Sequence, residues 1–132
     1  VVVMVATPDQ LAELVTLALA ATDPANPYGA ALPWPATPGH RPGRKAGALV
    51  VLVDGVCVVY VERGGRTVLV LDHRSDAVPL SASALVAAVR SEAVGPLTIT
   101  RIDGEPVHSS AHSAAFEAAG FGATPKGLRI RR

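Results

Sequence analysis

The sequence predicts an α+β fold with a mainly antiparallel, barrel-like sheet and flanking helices. Three observations carry this. Asp54-Gly55 and Asp103-Gly104 each separate two strand-like runs, as two-residue hairpin turns do. Between residues 48 and 71 three short runs rich in Val and Leu follow one another with only turn residues between them. Segments with helical spacing flank these runs. The order is helix, long loop, three strands, helix, two strands, helix, strand. Residues 1–21 read as an N-terminal helix and a junction to a preceding module, and 22–132 as an α+β barrel-like C-terminal domain.

The first helix starts at Thr7-Pro8-Asp9, with Thr7 as N-cap, Pro8 in the first turn and an acid beside it. Leu11, Leu14, Val15 and Leu19 then recur at helical spacing, and Asp23-Pro24 ends the helix near Ala21. Residues 22–46 hold six of the eleven prolines, the only tryptophan, Trp34, and Tyr28. A loop of that length inside a domain is either functional or packed as a wrap. Tyr28, Leu32 and Trp34 are its expected anchors. The strands Ala48–Val53, Val56–Glu62 and Arg66–Leu71 form a meander that is apolar on both faces, so both faces need cover.

A second helix is expected from Leu80 to Glu92, capped by Ser81 or Ser83, with Leu85, Val86 and Val89 as its buried stripe. Gly95-Pro96 breaks the chain. Leu97–Ile102 alternates as a strand and turns at Asp103-Gly104 into Glu105–His108. A short helix from Ser110 to Ala119 stops at Gly120, with Phe121 packing back on it. Gly127–Arg131 is the last strand.

Composition narrows the function. The 132 residues suit one domain, and 49% of them are hydrophobic, enough for a core. That apolar share is mostly 23 Ala and 19 Val, and only 4% of residues are aromatic. Few rings are left for stacking bases or sugars. The net charge of +1 steers nothing globally. Cys57 is the one cysteine and lies in a strand run, so it reads as a buried thiol, with no disulfide or cysteine zinc site. The opening run Val1–Ala6 is too short for a signal peptide or a membrane span, which leaves the cytoplasm as the expected compartment. A chain opening inside an apolar run reads as part of something longer.

The basic residues are clustered. Arg41, Arg44 and Lys45 lie in the tail of the proline loop, and Lys126, Arg129, Arg131 and Arg132 in the last seven residues. These two segments hold 7 of the 12 basic residues and no acid. On a strand, Arg129 and Arg131 share a face about 7 Å apart, close to the spacing of successive phosphates. The other reading is a sheet edge kept soluble by charge. His40 to Lys45 matches neither a P-loop nor a dinucleotide fingerprint. His108 and His112 lack the helical metal spacing, His40 and His73 stand apart, and no metal site is expected. Serines 109 and 110 read as helix caps. Asp23 is the weak catalytic candidate, a carboxylate able to activate water.

The run Ala20-Ala21-Thr22-Asp23-Pro24-Ala25-Asn26-Pro27-Tyr28-Gly29-Ala30-Ala31-Leu32-Pro33-Trp34-Pro35 resembles a segment in the C-terminal region of the Lhr family, the bacterial large helicase-related proteins. The resemblance continues through Arg41–Ala48, Val51–Gly55 and Tyr60–Thr67 and resumes at Asp103–Val107, Ala119–Phe121 and Ala123–Arg129. Residues 72–95 depart from the family pattern. The resemblance implies the terminal β-barrel module of an ATP-dependent DNA repair helicase. That barrel is similar to one in AlkZ-type DNA glycosylases, whose catalytic glutamines lie in a different part. The only glutamine here, Gln10, precedes the matched region. ATP and Mg2+ would belong to a motor core elsewhere, with no cofactor and no ATPase activity in this chain. The alanine and valine bias suggests an actinobacterial source.

Three readings follow. The first is an accessory domain that contacts single-stranded DNA, or an RNA:DNA hybrid, through Arg41, Arg44, Lys45, Lys126, Arg129 and Arg131, or that docks neighbouring winged-helix modules. Five phosphate contacts, at Arg41, Arg44, Lys45, Arg129 and Arg131, would give a log–log salt slope of about −3.5 on single strands. The second is part of a uracil- or alkyl-base excision site using Asp23. The third is an oligomerisation module that forms a homo-oligomer. No membrane partner is expected.

Overall fold

Turn chemistry sets the centre of the molecule. The computed structural model describes residues 2–6, 15–37, 39, 41–72 and 77–131. Strand β3 (Leu49–Val53) turns through Asp54 and Gly55, both at positive φ (50° and 85°), into β4 (Val56–Val61). Arg63-Gly64-Gly65-Arg66 then leads into β5 (Thr67–Val70). The pairing is antiparallel throughout this meander.

The register slips between Val51 and Leu52, leaving Val58 as an extra residue in β4. This bulge breaks the period of two. Val58 and Val59 both join the larger core cluster, while Cys57 and Tyr60 join the one on the opposite face. Burial pushes the Cys57 thiol up to about 12, so it stays protonated and inert at neutral pH.

On the near side of the meander lie β1 (Val2–Ala6) and β2 (Val15–Ala20), paired with each other and, through β2, with β3. The expected first helix is therefore corrected over residues 15–20; its residues 7–14 lie outside those described. Val15-Thr16-Leu17-Ala18-Leu19-Ala20 fits an alternating pattern as well as a helical one. Pairing with β3 decides between them: Leu19 is buried on one face, and Thr16 and Ala18 on the other. Thr16 Oγ1 finds no hydrogen-bond partner among the described residues.

Helix α1 runs from Ala77 to Arg90, three residues earlier than expected. Ser81 is inside it rather than capping it, buried and donating back to the Ala77 carbonyl at 2.9 Å. Small residues let α1 lie close on β1–β4, and ten of its residues are buried, Leu85 completely.

The expected strand 97–102 divides. Its first part, β6 (Leu97–Ile99), joins a three-stranded sheet. Its second, β7 (Arg101–Ile102), pairs in parallel with β5. The pivot is Thr100. The Arg66 carbonyl accepts from the backbone N–H groups of Thr100 (2.8 Å) and Arg101 (3.2 Å) and from Thr100 Oγ1 (3.3 Å). Asp103 does more than turn the chain: its Oδ1 accepts from Val70 N–H at 2.8 Å.

Beyond the turn, β8 is only Glu105–Pro106, followed by a 3-10 turn at Val107–Ser109. Helix α2 spans Ser113–Ala119 and ends at Gly120, where Phe121 folds back edge-on to Phe116 at 5.4 Å. Strand β9 (Gly122–Ala123), which the sequence reading passed over, and β6 flank β10 (Leu128–Ile130).

The result is an α+β molecule with a seven-stranded mixed sheet, ordered β1-β2-β3-β4-β5-β7-β8, and a small sheet, β6-β10-β9. Among the described residues no ladder closes either sheet into a barrel; β1 and β8 are the edges of the larger one. No helix among them is long and apolar enough to cross a membrane.

Candidate functional site

Two turns and a strand junction build a groove of about 810 Å³. Its lining is Arg66, Thr98, Thr100, Thr124, Pro125, Lys126 and Arg129. Arg66 leaves the β4–β5 turn, and its carbonyl is locked onto the β6–β7 junction as described. Thr98 stands on the outer side of β6, opposite Arg129 of β10. Leu128 and Ile130 point into the core, so Arg129 is forced outward.

Lys126 is carried by a tight turn that Thr124 fastens. Thr124 N–H donates to the Gly127 carbonyl at 2.8 Å, and Thr124 Oγ1 bonds both the carbonyl and the N–H of Gly127. The Thr124 carbonyl is itself 2.8 Å from His108 Nε2, which ties this turn to the 3-10 turn. A Cβ at Gly127 would overlap the Ile99 carbonyl oxygen, so only glycine lets the turn approach β6 this closely. The groove thus offers three cations, with no carboxylate among the described residues of its lining; the Thr100 and Thr124 hydroxyls already donate to the Arg66 and Gly127 carbonyls. That set matches the oxygens of phosphodiesters.

Arg66 was missed by the sequence reading because it sits in the β4–β5 turn, apart from both basic clusters. Arg131 is exposed beyond β10 and does not line the groove. Arg132 lies outside the described residues.

The cluster at 41–45 does not enter this groove. Lys45 lines a separate cleft of about 450 Å³ with Tyr60, Glu62 and Arg63. Arg63 and Arg66 thus stand at the two ends of one turn, each on a different cleft. Arg44 is turned inward. Its Nη1 donates to the carbonyls of Asn26 (2.6 Å) and Tyr28 (3.0 Å), and its Nη2 to those of Thr22 (3.3 Å) and Asp23 (3.2 Å). All four bonds hold the proline loop.

Arg41 is exposed and lines a third cleft, about 400 Å³, with Trp34, Pro35, Ala36, Thr37 and Pro42. Trp34 meets Tyr60 edge-on at 5.5 Å and Tyr28 at 6.0 Å. The Tyr28 hydroxyl accepts from Cys57 N–H (3.2 Å) and donates to the Gly55 carbonyl (3.3 Å). The Tyr60 hydroxyl donates to the Gly43 carbonyl at 3.0 Å; burial, the larger effect, together with Glu62 pushes its pKa up against that bond. Leu32, by contrast, is 43% exposed, and only its backbone is used, in a bridge to Tyr28.

Asp23 is a turn residue: its Oδ1 accepts from Ala25 N–H at 2.8 Å. It lines none of these three clefts. His40 and His73 lie outside the described residues. Among those described, no three His, Cys, Asp or Glu side chains are grouped as a metal site.

Two curated proteins are similar to nearly the whole chain. One, from Mycolicibacterium smegmatis, is named Lhr helicase/probable uracil glycosylase and is 49% identical over an alignment of 121 residues that covers 86% of this chain. The other, from Escherichia coli K12, is named Lhr helicase/uracil glycosylase and is 39% identical over an alignment of 114 residues that covers 85% of this chain. The chain is related to a small module of Lhr helicases. It spans only 8% and 7% of those two proteins' own lengths. No family model matches it. The similarity says nothing about which of the three clefts is used.

Proposed function

We propose that this chain is a C-terminal accessory module of an Lhr-type DNA helicase and that it holds the backbone of a single strand. Motor chemistry, with its ATP and Mg2+, belongs to the remainder of such a protein. The observation that carries the reading is the groove between Arg66, Lys126 and Arg129, with no carboxylate among the described residues of its lining. Phosphate contacts of this kind are independent of sequence and weaken with salt, because binding releases condensed counterions.

Three cationic contacts give a log–log salt slope of about −2 on single-stranded DNA, at roughly 0.7 per contact. The combined variant Arg66→Ala, Lys126→Ala, Arg129→Ala should remove about 2 units from the slope measured on the unsubstituted chain. An unchanged slope would sink the assignment of this groove. Neighbouring winged-helix modules could dock on the same surface; competition between such modules and DNA distinguishes the two uses.

The relatives' names support a second reading, base excision, with Asp23 as the carboxylate available within this chain. Against it, that carboxylate is committed to a turn. The measurement is uracil release from uracil-containing single-stranded DNA. Activity lost in Asp23→Asn would favour this reading, and equal activity in the variant would remove Asp23 from it.

A further inference from the structure

The low aromatic content conceals a concentration. Three of the five Tyr, Trp and Phe side chains, Tyr28, Trp34 and Tyr60, meet in one cluster on one side of the sheet. Tyr28 and Tyr60 are each tethered by a hydroxyl hydrogen bond to backbone. Gly29 sits directly against the indole; a Cβ there would be 2.5 Å from Trp34 Nε1. Trp34 is therefore held from several directions, yet it remains partly exposed and lines an open cleft. Neither ring contact on it is a close parallel stack: Tyr60 lies at 79°, and Tyr28 is tilted by 31° with its centre 6.0 Å away. The exposed Arg41, three residues from the inward-turned Arg44, lines the same cleft.

We propose that the Trp34–Arg41 cleft stacks one unpaired nucleobase of a single strand, with the neighbouring phosphate on Arg41. A fixed indole with a cation beside it is the pairing that sequence-tolerant single-strand binders use. The volume, about 400 Å³, is in the range of small-ligand pockets. A base within a duplex is not available to stack there, so the cleft selects single strands, whereas the cationic groove selects only phosphate. The inference rests on the nucleic-acid reading above and adds base capture to backbone contact.

Trp34 is the only tryptophan of the chain, so its emission reports on this cleft without any substitution. The chain is titrated with oligothymidylate and with an abasic strand of equal length, following anisotropy for binding and tryptophan emission for stacking. The expected result is binding of both strands, with emission quenched by oligothymidylate alone. Trp34→Leu should weaken oligothymidylate binding by about 10-fold and leave the abasic strand unaffected, and Trp34→Phe should restore most of the loss. Binding of oligothymidylate without quenching overturns base stacking and leaves the backbone reading standing. Equal quenching by the abasic strand assigns the signal to charge and also overturns stacking. Failure of both strands to bind overturns both readings.

Discussion

The two faces of the seven-stranded sheet are covered by different means. One face lies under α1, whose Ala, Val and Leu side chains meet the Val side chains of β3–β5 with almost no polar atoms between them. The other face lies under the proline loop, whose described residues have no regular structure beyond an isolated bridge. There the cover includes the rings of Tyr28 and Trp34, packed on Tyr60 of β4, while the loop's backbone is satisfied by side chains: Asn26, buried, bonds the Ala21 carbonyl and Tyr28 N–H, and Arg44 bonds four carbonyls. A helix satisfies its own backbone, so its cover is mainly a packing problem. A loop must import donors, and here one guanidinium supplies four of them.

Substitutions on the two sides sharpen this contrast. Leu85→Ala, on the helix side, removes a fully buried side chain and should cost about 3–4 kcal/mol, read as a lower urea midpoint. Arg44→Ala, on the loop side, should cost about 2–3 kcal/mol, since its bonds are charge-assisted but partly exposed. Arg44→Lys should recover little, because an ammonium cannot reproduce the planar fork. If Arg44→Ala were neutral, the loop would be held by its rings alone. The smallest effect has the opposite sign. Thr16→Val removes an unsatisfied buried hydroxyl and should gain about 1 kcal/mol in the same measurement.

The meander β3–β4–β5 was legible because its turns are encoded locally, in Asp54-Gly55 and Arg63-Gly64-Gly65. The cover on both faces was also legible, since runs such as Val50–Val53 cannot leave a side to water. Strand β2 was not, because Leu17 and Leu19 satisfy a strand while Val15 and Leu19 satisfy a helix. Only the partner strand resolves that tie. The division at Thr100 was hidden for a related reason: alternation describes a strand but not which sheet it joins.

Legibility of the candidate site was uneven. The outward projection of Arg129 followed from Leu128 and Ile130 on either side of it. Its union with Arg66 did not, because the groove is assembled from residues 66, 98–100 and 124–129. Nor did the inward turn of Arg44, which has the same neighbours in sequence as a phosphate-binding arginine would have.

The parallel pairing of β5 with β7 has a kinetic consequence. Thr67 meets Arg101 only after all of α1 and β6 has been spanned. The meander can form from neighbours a few residues apart, but β7 must wait for a long loop to close, which slows folding more than it weakens the product. Arg66 immediately precedes that late-forming pair, and its carbonyl holds the junction. The cationic groove is therefore among the last parts of the molecule to exist, absent from any partly folded chain that has only its meander in place.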